Sequence, residues 1–147
     1  ADSYLDALIA ALGKEMIASG MGETPIHDHI GRRGLATFTS GAACIAPAAA
    51  NALLASYRAG ETEKADRLAK PFLDFERERA RLGGIAVLHD AVTVSGIADC
   101  GCLLPMVSNL DEAGKAAIAP LVEALQQVER DARTARPQAA SGVEPTS

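Results

Sequence analysis

The sequence LATFTSG at residues 35–41 decides the fold that we expect for this chain. Its β-branched and aromatic residues predict a β-strand, and the closing glycine is typical of a strand end. A second apolar run that ends in glycine, KEMIASG at residues 14–20, predicts another strand. We expect a helix between them, because Thr24 and Pro25 offer an N-cap and a first-turn proline. Two strands joined in this way lie parallel, which favours an α/β fold.

Helical periodicity extends on both sides of this unit. Residues 4–12 carry apolar side chains at helical spacing, and we expect Tyr4 here and Tyr57 later to lie in the core. Four further helices are predicted, at residues 48–59, 61–82, 84–95 and 112–133. Residues 135–147 are small, polar and proline-bearing, which is typical of a mobile tail. Because parallel strands are normally buried on both faces, the sheet is expected to need strands from outside this chain.

Composition limits the possible partners and location. The 147 residues, 48% of them apolar, are enough for one domain with a core. With 19 acidic against 14 basic residues and a net charge of −5, the chain is a poor match for nucleic acid. No apolar run approaches the roughly 20 residues of a membrane span, and no signal peptide is visible. Three cysteines fit a reducing compartment, so we expect a cytoplasmic protein that binds a small molecule or a protein.

The segment ASGMGETPIHDH at residues 18–29 gathers side chains of the kind that bind metals. On a helix, however, His27 and His29 point about 200° apart, and Glu23 precedes the expected cap. We therefore expect no metal site, although a metal hydrolase built on Glu23, His27 and His29 is a weaker alternative. Cys100 and Cys102 have no second cysteine pair nearby, which favours packing in a turn and leaves a redox role open.

Two loops are candidates for ligand binding. Gly20 and Gly22 follow the first predicted strand, and Thr39 and Ser40 end the second. In α/β folds the carboxyl ends of parallel strands are where ligands bind, and free backbone N–H groups there can hold an anion. A plain tight turn and a plain strand end are equally compatible with these residues.

Several segments together resemble one family. They are GLATFTSGAACIAP at residues 34–47, LLASYRAG at 53–60, ADRL at 65–68 and LLPM at 103–106. In order and spacing they are similar to the C-terminal half of the dihydrodipicolinate synthase and N-acetylneuraminate lyase family. The resemblance implies the C-terminal part of a (β/α)8 TIM barrel, strands 7 and 8, followed by a helical C-terminal region. Residues 1–47 would be the last two βα units, and residues 48–134 the last barrel helix and the C-terminal helices.

The same resemblance implies an activity. Family members form a Schiff base between a lysine and a 2-oxo acid, often pyruvate, and the imine serves as an electron sink. The chain would be part of such a lyase: a pyruvate-type aldolase or synthase, or a sugar-acid dehydratase. The match begins after the sixth strand, which carries the lysine, so we nominate no catalytic residue in this chain and expect no cofactor. The expected partners are a 2-oxo acid, other subunits of a homotetramer and the missing N-terminal half.

The resemblance assigns substrate-binding roles to five residues: Gly20, Gly22, Glu23, Thr39 and Ser40. Glu23 stands where relatives vary with their substrate, so it is a candidate specificity residue for a hydroxylated acid. The chain departs from the family pattern at Cys44, where relatives often carry asparagine, and it lacks an arginine near Leu103. The alternative to a lyase is a non-catalytic α-helical interaction module that uses the two long helices at residues 61–82 and 112–133.

Overall fold

Helices form most of the chain in the computed structural model, which describes residues 3–135. They are α1 (Ser3–Leu12), α2 (Pro47–Arg58), α3 (Thr62–Leu82), α4 (Gly84–Val94) and α5 (Glu112–Ala135). Each begins and ends within two residues of a predicted helix, so these five predictions are confirmed. Within residues 3–135, no helix combines the length and the apolar character that crossing a membrane requires. The predicted tail lies, except for Ala135, outside the described residues.

The core is built mainly between helices. α2, α3, α4 and α5 pack against one another, and their apolar faces supply the largest buried side chains: Leu53, Phe72, Phe75, Val87, Ile118 and Leu125. The same core includes Leu5 of α1 and Ile26, Ile30 and Leu35 between the strands. The two predicted segments that meet at residue 47 therefore share one hydrophobic core.

A side chain from the last helix completes the start of α2. Pro47 occupies the first turn of α2, where its missing N–H costs nothing. The backbone N–H of Ala49 donates a 2.9 Å hydrogen bond to Oε2 of Glu129 on α5. Arg133 donates to the other oxygen of Glu129 at 2.6 Å. The two ends of the helical region are thus joined by a buried carboxylate.

The sheet is small. β1 (Ala18–Ser19) and β2 (Thr37–Phe38) pair in parallel, with Ala18 opposite Thr37 and Ser19 opposite Phe38. The prediction that the two apolar runs form neighbouring parallel strands is confirmed, but both strands are much shorter than expected. The start of the first run, Lys14–Met16, forms a 3-10 helix with exposed side chains instead of a strand.

The predicted fold class, the C-terminal part of a TIM barrel, is wrong for this structure. A (β/α)8 barrel is built around parallel strands that form a closed, filled sheet. The described residues contain one sheet of two strands, each two residues long. The packing that dominates is helix against helix, so residues 3–135 form a mainly helical fold with a minor β element. The two apolar runs correctly predicted which chain segments pair, but they did not predict that each strand is only two residues long.

A turn and a π-helix connect the two strands. Residues 22–25 form turns, and the helical segment that follows is His27–Arg32. Thr24 is not its N-cap; the cap position is Ile26, with no side-chain hydrogen bond, so that prediction is wrong. Nδ1 of His29 and Oγ of Ser19 share a buried 2.8 Å hydrogen bond, which ties this segment to β1. Tyr57 is buried as predicted, whereas Tyr4 is 74% exposed, contrary to prediction.

The irregular segment between α4 and α5 is held by Asp90. This buried carboxylate accepts hydrogen bonds from Asn109 Nδ2 and from the backbone N–H of Leu110. Burial alone would raise the pKa of Asp90, but the bonds from Asn109, Leu110 and His89 outweigh it and lower the pKa. The segment therefore has a defined attachment to α4 although it forms no regular secondary structure.

Candidate functional site

A polar cavity of about 420 Å³ lies where the loops after β1 and β2 meet α3. It is lined by Gly20, Met21, Gly22, Thr24, Thr39, Gly41, Glu76, Arg79, Ala80 and Gly84. We call it the polar pocket. Since β1 and β2 are parallel, both loops leave the sheet at the same edge, which is why two distant stretches of sequence form one wall.

Three of the five candidate binding residues line this pocket, and the other two adjoin lining residues in the chain. Gly20, Gly22 and Thr39 line the polar pocket. Glu23 lies between the lining residues Gly22 and Thr24, and Ser40 lies between Thr39 and Gly41; Ser40 Oγ donates a hydrogen bond to Glu23 Oε1. The bond joins the loop after β1 to the loop after β2.

Two glycines allow α3 to approach these loops. Gly22 has φ +65°, a conformation that favours glycine, and a Cβ atom there would lie 3.4 Å from Oε2 of Glu76. A Cβ atom on Gly41 would lie 3.0 Å from Nη1 of Arg79. Gly22 is thus favoured by its positive φ and Gly41 by the close approach of Arg79, while Glu76 and Arg79 form the far wall of the pocket.

Arg79 is the cation of the polar pocket. Its Nη1 donates to Glu76 Oε1 at 2.9 Å and to Oε2 at 3.0 Å, and its Nε donates to the carbonyl of Gly84 at 3.2 Å. Nη2 has no hydrogen-bond partner within residues 3–135. A guanidinium fixed by three hydrogen bonds, with N–H groups left over at a cavity wall, is suited to binding a carboxylate.

Glu23 is the acid of the site. Its side chain is fully buried, and Oε2 has no hydrogen-bond partner among the described residues. Burial raises the pKa of Glu23, and the neighbouring charge of Glu76 adds to the rise, whereas the Ser40 hydrogen bond and Arg79 oppose it. Glu23 therefore holds its proton to a higher pH than an exposed glutamate does.

The sequence contained a signal for Glu76 and Arg79 that the prediction missed. The alternation of acidic and basic residues in FLDFERERARL, residues 72–82, predicts an exposed helix face and underlies the alternative of an interaction module. Helical spacing nevertheless places Glu76 and Arg79 on the same side of α3 as the buried residues Phe72 and Phe75. Within α3, the ion pairs Lys70–Asp74 and Arg81–Glu78 match the solvated face that was predicted.

The histidines and cysteines do not form a second site in the described residues. His27 is exposed and contacts Asp66 at 3.3 Å, whereas His29 is buried against Ser19, so the two rings have different environments. No group of three or more potential metal ligands occurs within residues 3–135. Cys44, Cys100 and Cys102 are free thiols.

A larger apolar groove lies among the helices. It has a volume of about 760 Å³ and runs between α2, the start of α3 and the end of α5. Its walls carry several alanines, among them Ala52, Ala55 and Ala132, together with the larger apolar side chain of Leu68. Glu61 and Lys64, which pair with each other at 2.7 Å, lie at its edge.

Comparisons of this chain with protein-family models, with curated proteins and with solved structures gave no match. The class that the described residues define is thus a structural one: a mainly helical protein with a polar pocket at the edge of a two-stranded parallel sheet. Function is inferred from the pocket itself.

Proposed function

We propose that this chain is part of a lyase that acts on 2-oxo acids through a lysine Schiff base, with the lysine outside these 147 residues. The observation that carries the proposal is the meeting of Arg79 with the loops at residues 20–24 and 39–41 around one polar pocket. Arg79 offers N–H groups to a carboxylate, and Thr24 offers a hydroxyl to an oxygen of a small acid. The hydroxyl of Thr39 donates to the carbonyl of Ser19 at 3.5 Å and would have to turn to reach a ligand. The pocket volume, about 420 Å³, is in the range of small-molecule sites.

The placement of the lysines supports an outside nucleophile. The chain has four, all within the described residues: Lys14, Lys64, Lys70 and Lys115. None of them lines the polar pocket. Lys64, Lys70 and Lys115 instead form ion pairs with Glu61, Asp74 and Glu112 on the helices that carry them or next to them. In this proposal the chain binds and orients the 2-oxo acid. The lysine whose imine acts as the electron sink lies outside these 147 residues.

Calorimetry with pyruvate tests the binding half of the proposal, and acetone is the matched control because it has the same ketone without the carboxylate. We expect pyruvate to bind and acetone not to bind. Borohydride added with pyruvate tests the other half, since it reduces an imine to a stable amine. We expect no lysine of this chain to gain mass; a modified lysine would contradict the placement of the nucleophile outside it.

A second candidate function is the non-catalytic helical interaction module. The apolar groove between α2 and α5 favours it, because a cavity of about 760 Å³ with apolar walls is suited to another apolar surface. Sedimentation distinguishes the two candidates. Concentration-dependent association that A55R abolishes, together with no response to pyruvate, would favour the module over the lyase.

A further inference from the structure

We propose that Glu23 takes up a proton when an anion enters the polar pocket, so that the pocket binds a 2-oxo acid together with a proton. This inference rests on the proposed function, because it concerns the same pocket and the same class of ligand. It makes Glu23 a positioning residue whose protonation state sets the affinity of the site.

The first argument is the position of Glu23. Gly22 and Thr24, its neighbours in the chain, both line the polar pocket. Its hydrogen-bond partner Ser40 lies between Thr39 and Gly41, which also line it. Glu23 is therefore joined to the pocket wall through its chain neighbours and through Ser40, and its side chain is fully buried. A charge placed in the pocket is screened less at such a carboxyl than it would be at an exposed one.

The second argument is the set of charges that face Glu23. On α3, Glu76 disfavours a second negative charge and Arg79 favours it. From the loop after β2, the hydroxyl of Ser40 donates to Glu23 Oε1 and accepts a 3.0 Å bond from the backbone N–H of Ala43. Arg79 is the only cation in this set, and it already forms an ion pair with Glu76. An anion that binds Arg79 adds a negative charge and leaves Arg79 less able to stabilise an ionised Glu23.

The third argument is the free oxygen. An ionised Glu23 has one buried carboxylate oxygen without a donor among the described residues, which is costly in a dry environment. A proton on that oxygen removes the charge. Burial and Glu76 already raise the pKa of Glu23 without a ligand, and a bound anion acts in the same direction.

Linkage between proton binding and pyruvate binding determines how the affinity depends on pH. If one proton enters with each anion, the affinity for pyruvate rises as the pH falls, by up to about tenfold per pH unit between the pKa values of Glu23 in the free and bound states. Outside that interval the affinity is independent of the ionisation of Glu23. At a pH inside the interval, a fraction of a proton is taken up from the buffer for each pyruvate bound.

The test is calorimetry with pyruvate in two buffers of different ionisation enthalpy, at several values between about pH 5 and about pH 8. For the wild type we expect the observed enthalpy to depend on the buffer, with net proton uptake. For E23Q, which keeps the acceptor for Ser40 but cannot ionise, we expect binding without uptake. E76Q should move the interval of uptake to lower pH, because it removes a charge that raises the pKa of Glu23.

The outcomes separate the two proposals. Pyruvate binding with the same enthalpy in both buffers at every pH would overturn proton coupling and leave the proposed function standing. Equal uptake by wild type and E23Q would assign the proton to another group and also overturn it. No binding of pyruvate at all would overturn both. Should E23Q fail to fold, carbon-13 NMR of the wild-type Glu23 carboxyl, titrated with and without pyruvate, decides the question: the pKa must rise with the ligand.

Discussion

The hydroxyl of Ser40 donates a hydrogen bond to the carboxyl of Glu23, a residue 17 positions earlier in the chain. This contact holds together two loops that leave the same edge of a parallel sheet. It also leaves the second oxygen of Glu23 buried and without a partner among residues 3–135. Burial and the unpaired oxygen disfavour the ionised form of Glu23. This acid lies beside the pocket to which we assign ligand binding.

Substituting Glu23 by glutamine should change how stability depends on pH. The pKa of Glu23 is raised in the folded state, so the folded protein binds more protons than the unfolded chain, and its stability falls as the pH rises above the ordinary range for glutamate. E23Q lacks this loss. The free energy of unfolding of E23Q, relative to wild type, should therefore increase from about pH 5 to about pH 8.

Urea denaturation at the two pH values measures this difference. E63Q, which removes the carboxylate of an exposed glutamate, is the matched control for the loss of one charge. A constant difference between E23Q and wild type across the pH range would show that Glu23 is not perturbed.

Replacing Arg79 by alanine should weaken pyruvate binding. The loss of a charge-assisted hydrogen bond costs about 1.5–3 kcal/mol, and each 1.4 kcal/mol is tenfold in affinity, so Kd should rise about tenfold or more. Arg77 on the same helix is the matched control, because its exposed side chain pairs with Asp74 and does not line the polar pocket. Calorimetry with R79A and R77A checks the prediction; equal weakening in both would argue for a general charge effect and against a site at Arg79.

The helix bounds follow from the sequence because helical periodicity and end signals are local. Pro47 at the start of α2 and the paired glycines 83 and 84 between α3 and α4 mark ends that the structure reproduces. The extent of the sheet cannot be predicted in the same way, because the length of a strand depends on which other strands are available to pair with it. The expected barrel came from the family resemblance, and of the two predicted strands only Ala18–Ser19 and Thr37–Phe38 pair.

Part of the candidate site could be predicted from the sequence. The glycines and hydroxyls of the two loops stand out at predicted strand ends. Arg79 does not, since one arginine among several in a charged helix reveals its role only when the turn that it faces is known. The burial of Glu23 is likewise a tertiary property, because nothing in GMGETP indicates that the glutamate points inward.

Glu129 should contribute to stability through the start of α2. E129A removes the acceptor for the N–H of Ala49 and leaves that buried donor without a partner. Loss of such a cap costs about 1–2 kcal/mol. The control is E123A on the same helix, whose exposed side chain pairs only with Arg130 in the described structure and should cost less than about 0.5 kcal/mol. Urea denaturation measures both, and equal effects would contradict the capping role.

Gly22 and Gly20 form a matched pair for testing the loop conformation. G22A forces a side chain into positive φ beside Glu76, which should cost about 1–2 kcal/mol. G20A meets open space at an ordinary φ and should change stability by less than about 0.5 kcal/mol. Thermal unfolding of the two variants checks the order; a larger loss in G20A would contradict the observed turn.

The central claim, that the polar pocket binds a small 2-oxo acid, is tested most directly by following backbone amide NMR signals during a titration with pyruvate. The account predicts saturable shifts concentrated at Gly20, Gly22, Thr39 and Gly41, which R79A abolishes and R77A retains. Shifts that do not saturate up to about 50 mM pyruvate, well above the millimolar range of weak specific binding, would contradict it. So would saturable shifts that map to the apolar groove between α2 and α5 and not to the polar pocket.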